Sequence, residues 1–244
     1  MSRFDYTVQE LAGPKFGLLV LQADETIERD FRRLMPAGAE LLVSRVPSAV
    51  DVTPETLAAM KDHLTAAATL FPDRSHFDVV GYGCTSATAE IGANRVAEQI
   101  GAGVKTDAVT EPLSALVAAC KSLEVSRIGF LSPYLPAVSN KLRDVLASRG
   151  IESPLFGSFD EAIEARVVRI DGASIRTAAR TLARKGEVDG IFLSCTNLRT
   201  LDVIPDLQRE LDMPVLSSNL VLAWHMLRLA GEGPVSPDQL LSPC

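Results

Sequence analysis

Cys84 and Cys195 occupy the same kind of place in two different parts of the chain. The run Val79-Val80-Gly81-Tyr82-Gly83 leads into Cys84-Thr85-Ser86, and Gly190-Ile191-Phe192-Leu193-Ser194 leads into Cys195-Thr196-Asn197. Each apolar run reads as a buried strand, and each thiol falls at its carboxyl end, where α/β folds place chemistry just ahead of a helix. Backbone amides at a helix start favour the thiolate, the form that acts as base or nucleophile. If the two strand ends meet across one cleft, one thiolate removes a proton from an acidic carbon while the opposed thiol donates one on the other face, inverting the centre. A second route uses the same pair: a thiolate adds to an activated double bond, the new single bond rotates, and elimination releases the isomer.

Neighbouring polar residues would have to select the substrate. Thr85, Ser86 and Thr196, with the amides beside them, are candidates to hold a carboxylate and the enolate-like charge that develops next to it. Helix capping is the simpler account of any one of these hydroxyls. Tyr134, after Pro133 at another strand end, is a candidate for the site. Asn197 and Asn219 are weaker candidates, because asparagine is common in turns and caps. Cys120 lies in the apolar stretch Leu116-Val117-Ala118-Ala119-Cys120 and reads as core, Cys244 is a terminal residue without a visible partner, and His225 beside Trp224 reads as a core or surface histidine. With three scattered histidines and no Cys-x-x-Cys pair, the sequence indicates no metal site.

The elements that must position these residues alternate regularly. Strands are expected at Phe16–Leu21, Leu41–Val46, Phe77–Tyr82, Arg127–Leu131, Ile151–Phe156, Gly190–Leu193 and Val215–Leu216, each followed by a helical stretch. Ser86 is expected to cap a helix running to Ile100, and Pro205 to interrupt or shift one running from Leu198 to Leu211. Such βα alternation predicts parallel sheets covered on both faces. The two Cys-Thr steps stand nearly half the chain apart, which an internal duplication explains economically. The expected fold is α/β, with two similar lobes related by a pseudo-twofold axis and the site between them. Residues 1–106 would form the first lobe and 107–218 the second, with the helix at 219–231 packing back on the first. The tail from Gly231 is expected to be irregular.

The 244 residues, 47% hydrophobic and 23% charged, are enough to bury a sizeable core. A net charge of −7 with no basic run argues against nucleic acid as a partner. The start of the chain lacks an apolar targeting segment and no stretch reaches the length of a membrane span, so a cytoplasmic protein with reduced thiols and no membrane partner is expected.

Gly83-Cys84-Thr85-Ser86-Ala87, Leu131-Ser132-Pro133-Tyr134, Ser194-Cys195-Thr196-Asn197 and Ser217-Ser218-Asn219 together resemble the aspartate/glutamate racemase superfamily, in its branch with maleate cis-trans isomerase and arylmalonate decarboxylase. The resemblance covers nearly the whole chain. It implies two Rossmann-like lobes, no metal and no organic cofactor, a small carboxylate as substrate, Cys84 and Cys195 as the catalytic pair, and Thr85, Ser86 and Tyr134 as carboxylate or enediolate ligands. A homo-oligomer is compatible with it. Decarboxylases of the branch look like single-cysteine enzymes with glycine at the place of Cys84, so two thiols favour an isomerase or racemase.

One departure concerns Leu21-Gln22-Ala23-Asp24-Glu25, where maleate isomerases resemble a Pro-Ser-Ser-Asn-Thr pattern whose asparagine binds a substrate carboxylate. An ionised Asp24 would repel a dicarboxylate and favour an amine or amidine. Sequences with aspartate here look like racemase-type proteins associated with ectoine utilisation. Capping of the first helix is an equally good account of Asp24. A malonate-type decarboxylase and a cytoplasmic small-molecule binding protein are the alternative functions.

Overall fold

In the first half of the chain a run such as Lys15-Phe16-Gly17-Leu18-Leu19-Val20-Leu21 is buried on both sides from Phe16 onward, as a parallel strand covered by helices must be. The computed structural model describes residues 1–8, 13–73, 75–231 and 238–241. The first lobe contains β1 (Lys15–Leu21), α1 (Ile27–Leu34), β2 (Glu40–Val46), α2 (Pro54–Ala59), α3 (Lys61–Ala68), β3 (His76–Gly83), α4 (Thr85–Ile91), α5 (Ala93–Gly101) and β4 (Lys105–Thr110). The chain continues through α6 (Pro112–Ser122), β5 (Arg127–Ser132), α7 (Pro136–Ser148), β6 (Glu152–Ser158), α8 (Glu164–Val167) and α9 (Gly172–Ala183). It closes with β7 (Gly190–Leu193), α10 (Ile204–Leu211), β8 (Val215–Ser217), α11 (Ser218–Leu229) and α12 (Asp238–Leu241).

These strands form two four-stranded sheets, β2-β1-β3-β4 and β6-β5-β7-β8. All pairings within them are parallel. Counted from its own first strand, each sheet has the same order, so the duplication suggested by the Cys-Thr steps extends to the topology of both halves. In each sheet the order reverses beside the first strand. The carboxyl ends there, those of β1 and β3 and of β5 and β7, flank the crevices where such sheets bind ligands.

Several local expectations need correction. β4 was not anticipated as a strand, because Lys105-Thr106-Asp107-Ala108-Val109-Thr110 is an edge strand with few apolar residues, its Lys105 and Asp107 exposed. The end of the first lobe expected at residue 106 therefore falls inside a strand paired to β3. The helix expected to run to Ile100 is split by Gly92, whose φ of 89° belongs to the region glycine adopts without strain. Pro205 shifts the helix start, one of the two expected effects: it sits in the first turn of α10, where its missing N–H costs nothing, and residues 198–203, expected to be helical, are not. In the tail, Asp238–Leu241 is helical; residues 232–237 and 242–244, Cys244 included, lie outside the described residues.

α11 is buried along most of its length and packs against α1, β3 and α6. Its Met226, Leu222 and Ala223 join Phe16, Leu18, Val20, Ile27, Phe31 and Val79 in one apolar cluster. Gly81 permits this approach, since a Cβ there would meet Met226 Sδ at 2.5 Å. Cys120 is buried in α6 within the main core, and burial pushes its thiol up to about 12. Among the described residues no helix is long and apolar enough to cross a membrane.

Candidate active site

Each strand that ends at a crevice hands its chain to a polar turn, and four such turns converge. Cys84 follows β3, Tyr134 follows β5, Cys195 follows β7, and Asp24 follows β1. Cys84, Thr85, Ser86, Tyr134, Cys195 and Thr196 line one cleft, which encloses about 450 Å³ including its open mouth. The segment after β2 (Ser48, Ala49, Asp51 and Val52), the α2 face with Thr56 and Leu57, Met60, Leu21 and Glu164 of α8 complete its wall. At the rim the two lobes touch through a bridge between Asp51 and Ile163, with Val52 N donating to Ala162 O at 3.2 Å.

Cys84 itself is the N-cap of α4, in place of Ser86. Its Sγ accepts from the Ala87 amide at 3.4 Å. Ser86 is 4% exposed, and its hydroxyl has no hydrogen-bond partner in the protein. Cys195 has a φ of 106°, a conformation that side chains other than glycine rarely adopt. Its amide donates to Ser218 Oγ at 3.0 Å, and its Sγ accepts from the Asn197 amide at 3.3 Å. The same Ser218 Oγ accepts from Thr85 Oγ1 at 2.8 Å, so one hydroxyl ties the turns of both thiols together.

An amide points at each sulfur, but only Cys84 stands at a helix start; Cys195 lies in a turn, α10 beginning at Ile204, and in neither case does the amide outweigh burial. Burial pushes the Cys84 thiol up to about 12, reinforced by the negative charges of Glu164 and Asp24 and opposed by the Ala87 amide. Cys195 is raised well above the ordinary thiol range for the same leading reason, with Glu164 next. Burial thus favours the neutral thiol at both positions, and a positive charge or a proton acceptor beside either sulfur would favour its thiolate.

Glu164 was not singled out from the sequence. It is 6% exposed, and its carboxylate accepts from Tyr134 Oη at 2.9 and 3.1 Å and from Asn197 Nδ2 at 3.3 Å. Burial raises it to about 7, against the pull of the Tyr134 bond. Tyr134 Oη also lies 3.0 Å from Cys195 Sγ, which makes a continuous chain from thiol to phenol to carboxyl. The signal that would have found Glu164 is its spacing from Val167 and Val168, which puts an acid on the buried face of a short helix.

The remaining candidates form the frame of the cleft. Asp24 is buried and does not line it. Its Oδ1 accepts from the Thr26 and Ile27 amides, both at 2.8 Å, while Oδ2 has no hydrogen-bond partner, the nearby Thr196 hydroxyl donating instead to Gly83 O at 3.1 Å. Burial is the main cause that raises its carboxyl above the ordinary range. Asn197 accepts from the Glu25 amide at 2.9 Å through Oδ1, and its carbonyl accepts from Thr26 Oγ1 at 2.9 Å. Asn219 donates to Asp30 Oδ2 at 2.8 Å and to Thr196 O at 2.7 Å. Both asparagines thus join the lobes and do not face the cleft. His225 lies outside it, with Nδ1 2.7 Å from Thr110 Oγ1, and burial lowers it to about 4.

Known proteins share this architecture. The chain is 28% identical over 225 residues to maleate isomerase of Nocardia farcinica, covering 88% of this chain and 89% of that one. To arylmalonate decarboxylase of Bordetella bronchiseptica it is 31% identical over 121 residues, covering 49% and 50%. It superposes with a TM-score of 0.81 and 25% identity, over 95% of this chain and 99% of the other, on a cysteine-to-serine variant of the Nocardia farcinica maleate cis-trans isomerase that holds a covalently bound succinylcysteine intermediate. The family model described as arylmalonate decarboxylase matches residues 94–239. That match spans more than half of the sequence, and the chain therefore belongs to the arylmalonate decarboxylase family, a group of enzymes that takes in maleate isomerases.

Proposed function

We propose that this protein is a cofactor-independent isomerase acting on a small carboxylate, with Cys84 and Cys195 as the reacting pair. The observation that carries the reading is the equivalence of the two thiols: each follows the third strand of its own sheet, and both line one cleft. Opposed thiols suit inversion at carbon, one acting as base and the other as acid, or addition to a double bond followed by rotation and elimination. The covalent succinylcysteine intermediate named for the Nocardia farcinica enzyme supports a cysteine that bonds to substrate in this family. In the proposed site Ser86, whose buried hydroxyl lacks a protein partner, receives the substrate carboxylate, and Tyr134 and Thr85 hold the geometry around it.

Proton washout from carbon in deuterated water, or isomerisation of a candidate carboxylate, provides the assay. Cys84→Ser and Cys195→Ser are each expected to remove most activity while leaving the folded state intact. Full turnover by either variant would rule out the two-thiol mechanism. The family model favours decarboxylation as the second reading. Carbon dioxide release from a disubstituted malonate by the wild-type protein would establish that reading instead.

A further inference from the structure

The charge of the cleft wall is one-sided. Asp51 and Glu164 line it, and among the described residues no lysine, arginine or histidine does. Asp24 lies just behind, close enough for its charge to push both thiols up. The cationic group that acts on Asp24 is Arg45, and its guanidinium is already engaged by the carbonyls of Leu21, Gln22 and Asp24 and by Glu28. A ligand with two carboxylates would bring further negative charge to this wall and would make either thiolate harder to form. A ligand with one carboxylate and one cation fits both ends. Ser86 offers a buried, unpartnered hydroxyl to the carboxylate, while Glu164 offers a carboxylate fixed by Tyr134 and Asn197 to the cation.

We propose that the substrate of this site carries a cationic nitrogen, an ammonium or amidinium group, beside its carboxylate, and that Glu164 receives that nitrogen. The proposal rests on the isomerase reading for the carbon chemistry and adds the charge of the rest of the substrate. Asp24 alone leaves the question open at the level of sequence, since it caps a helix. Glu164 decides it, because it stands on the wall itself with both thiols. A bound cation also supplies the positive charge that the buried thiols lack, so binding and thiol ionisation are coupled in the favourable direction.

Calorimetric titration tests this without turnover. The probes are glycine, β-alanine and guanidinoacetate, each with one carboxylate and one cation, against maleate and malonate, each with two carboxylates. At neutral pH the wild-type protein is expected to bind at least one zwitterionic probe about tenfold more tightly than maleate. Glu164→Gln should weaken that probe by about tenfold and leave maleate unchanged or tighter, opposite movements that a merely damaged fold would not produce. Equal or tighter binding of maleate by the wild type, or no binding of any zwitterionic probe, overturns the proposal. The same titrations on Cys84→Ser separate the two readings. Thiol variants that stay active while the zwitterion preference holds would remove the mechanism alone, and activity that needs both thiols with a preference for maleate would remove the substrate class alone.

Discussion

Tyr134 Oη sits 3.0 Å from Cys195 Sγ and 2.9 Å from the Glu164 carboxylate, so a single phenol mediates between a thiol and an acid that both line the cleft. Its hydrogen bond is the leading influence that holds Glu164 down against burial. Tyr134→Phe removes that donor. The Glu164 carboxyl is then expected to titrate above about 7, seen as a shift in the carboxylate band of pH-difference infrared spectra against Glu164→Gln as the blank. An unchanged titration would show that the phenol does not support the charge.

Ser218 carries two cross-links at once, from Thr85 Oγ1 and from the Cys195 amide. Ser218→Ala leaves both donors buried without an acceptor. The expected loss is about 1–3 kcal/mol in urea denaturation, larger than for a surface serine, with reduced activity because both thiol-bearing turns are released.

Asp30 governs a pH dependence of stability. Burial raises its carboxyl to about 6 despite the Asn219 amide and the nearby Arg29 and Arg33, and Asp24 adds to the rise. The folded state therefore keeps this proton to higher pH than the unfolded chain, whose aspartates release theirs near the ordinary value of 3.8. This group's contribution is fully present at the acid end, falls as pH rises from about 4 to about 6, and stays low above that. Asp30→Asn should accordingly raise stability at neutral pH, by on the order of 2 kcal/mol, and flatten that part of the curve. Denaturation midpoints across the range check both statements.

Cys195 keeps its thiol in place at a φ of 106°. Backbone strain of this kind costs about 1–3 kcal/mol for a residue with a Cβ and little for glycine. Cys195→Gly should therefore be more stable than Cys195→Ala by about 1 kcal/mol in denaturant titrations, although neither retains the thiol. Equal stabilities would mean that the surrounding turn absorbs the conformation without cost.

The residues that end β1, β3, β5 and β7 were legible in the sequence because continuous apolar runs mark central parallel strands and small or thiol residues mark their ends. β4 escaped notice since an edge strand written Lys105-Thr106-Asp107 carries almost no apolar signal. Cys84, Thr85, Ser86, Tyr134, Cys195 and Thr196 come together in one cleft, as the paired motifs implied. Glu164 did not stand out within the charged stretch Asp160–Arg166, where an acid reads as solvated until α8 is placed under Tyr134. Asn197 and Asn219 show the converse. They looked like ligand groups, but hydrogen bonds invisible without the fold engage them, Asn197 through Oδ1 and Nδ2 and Asn219 through Nδ2.

The bonds that complete the cleft join residues far apart in sequence: Thr85 with Ser218, Thr26 with Asn197, and Asn219 with Asp30. The strand pairs within each sheet close over much shorter stretches of chain. Loop-closure entropy opposes the longer closures somewhat more than the strand pairings, so the contacts between the polar turns depend on both halves being held together. The site is in this sense a seal between two half-molecules. Any opening between the halves would expose the buried Cys84 and Cys195 to alkylation, which makes the two thiols reporters of how firmly the halves are joined.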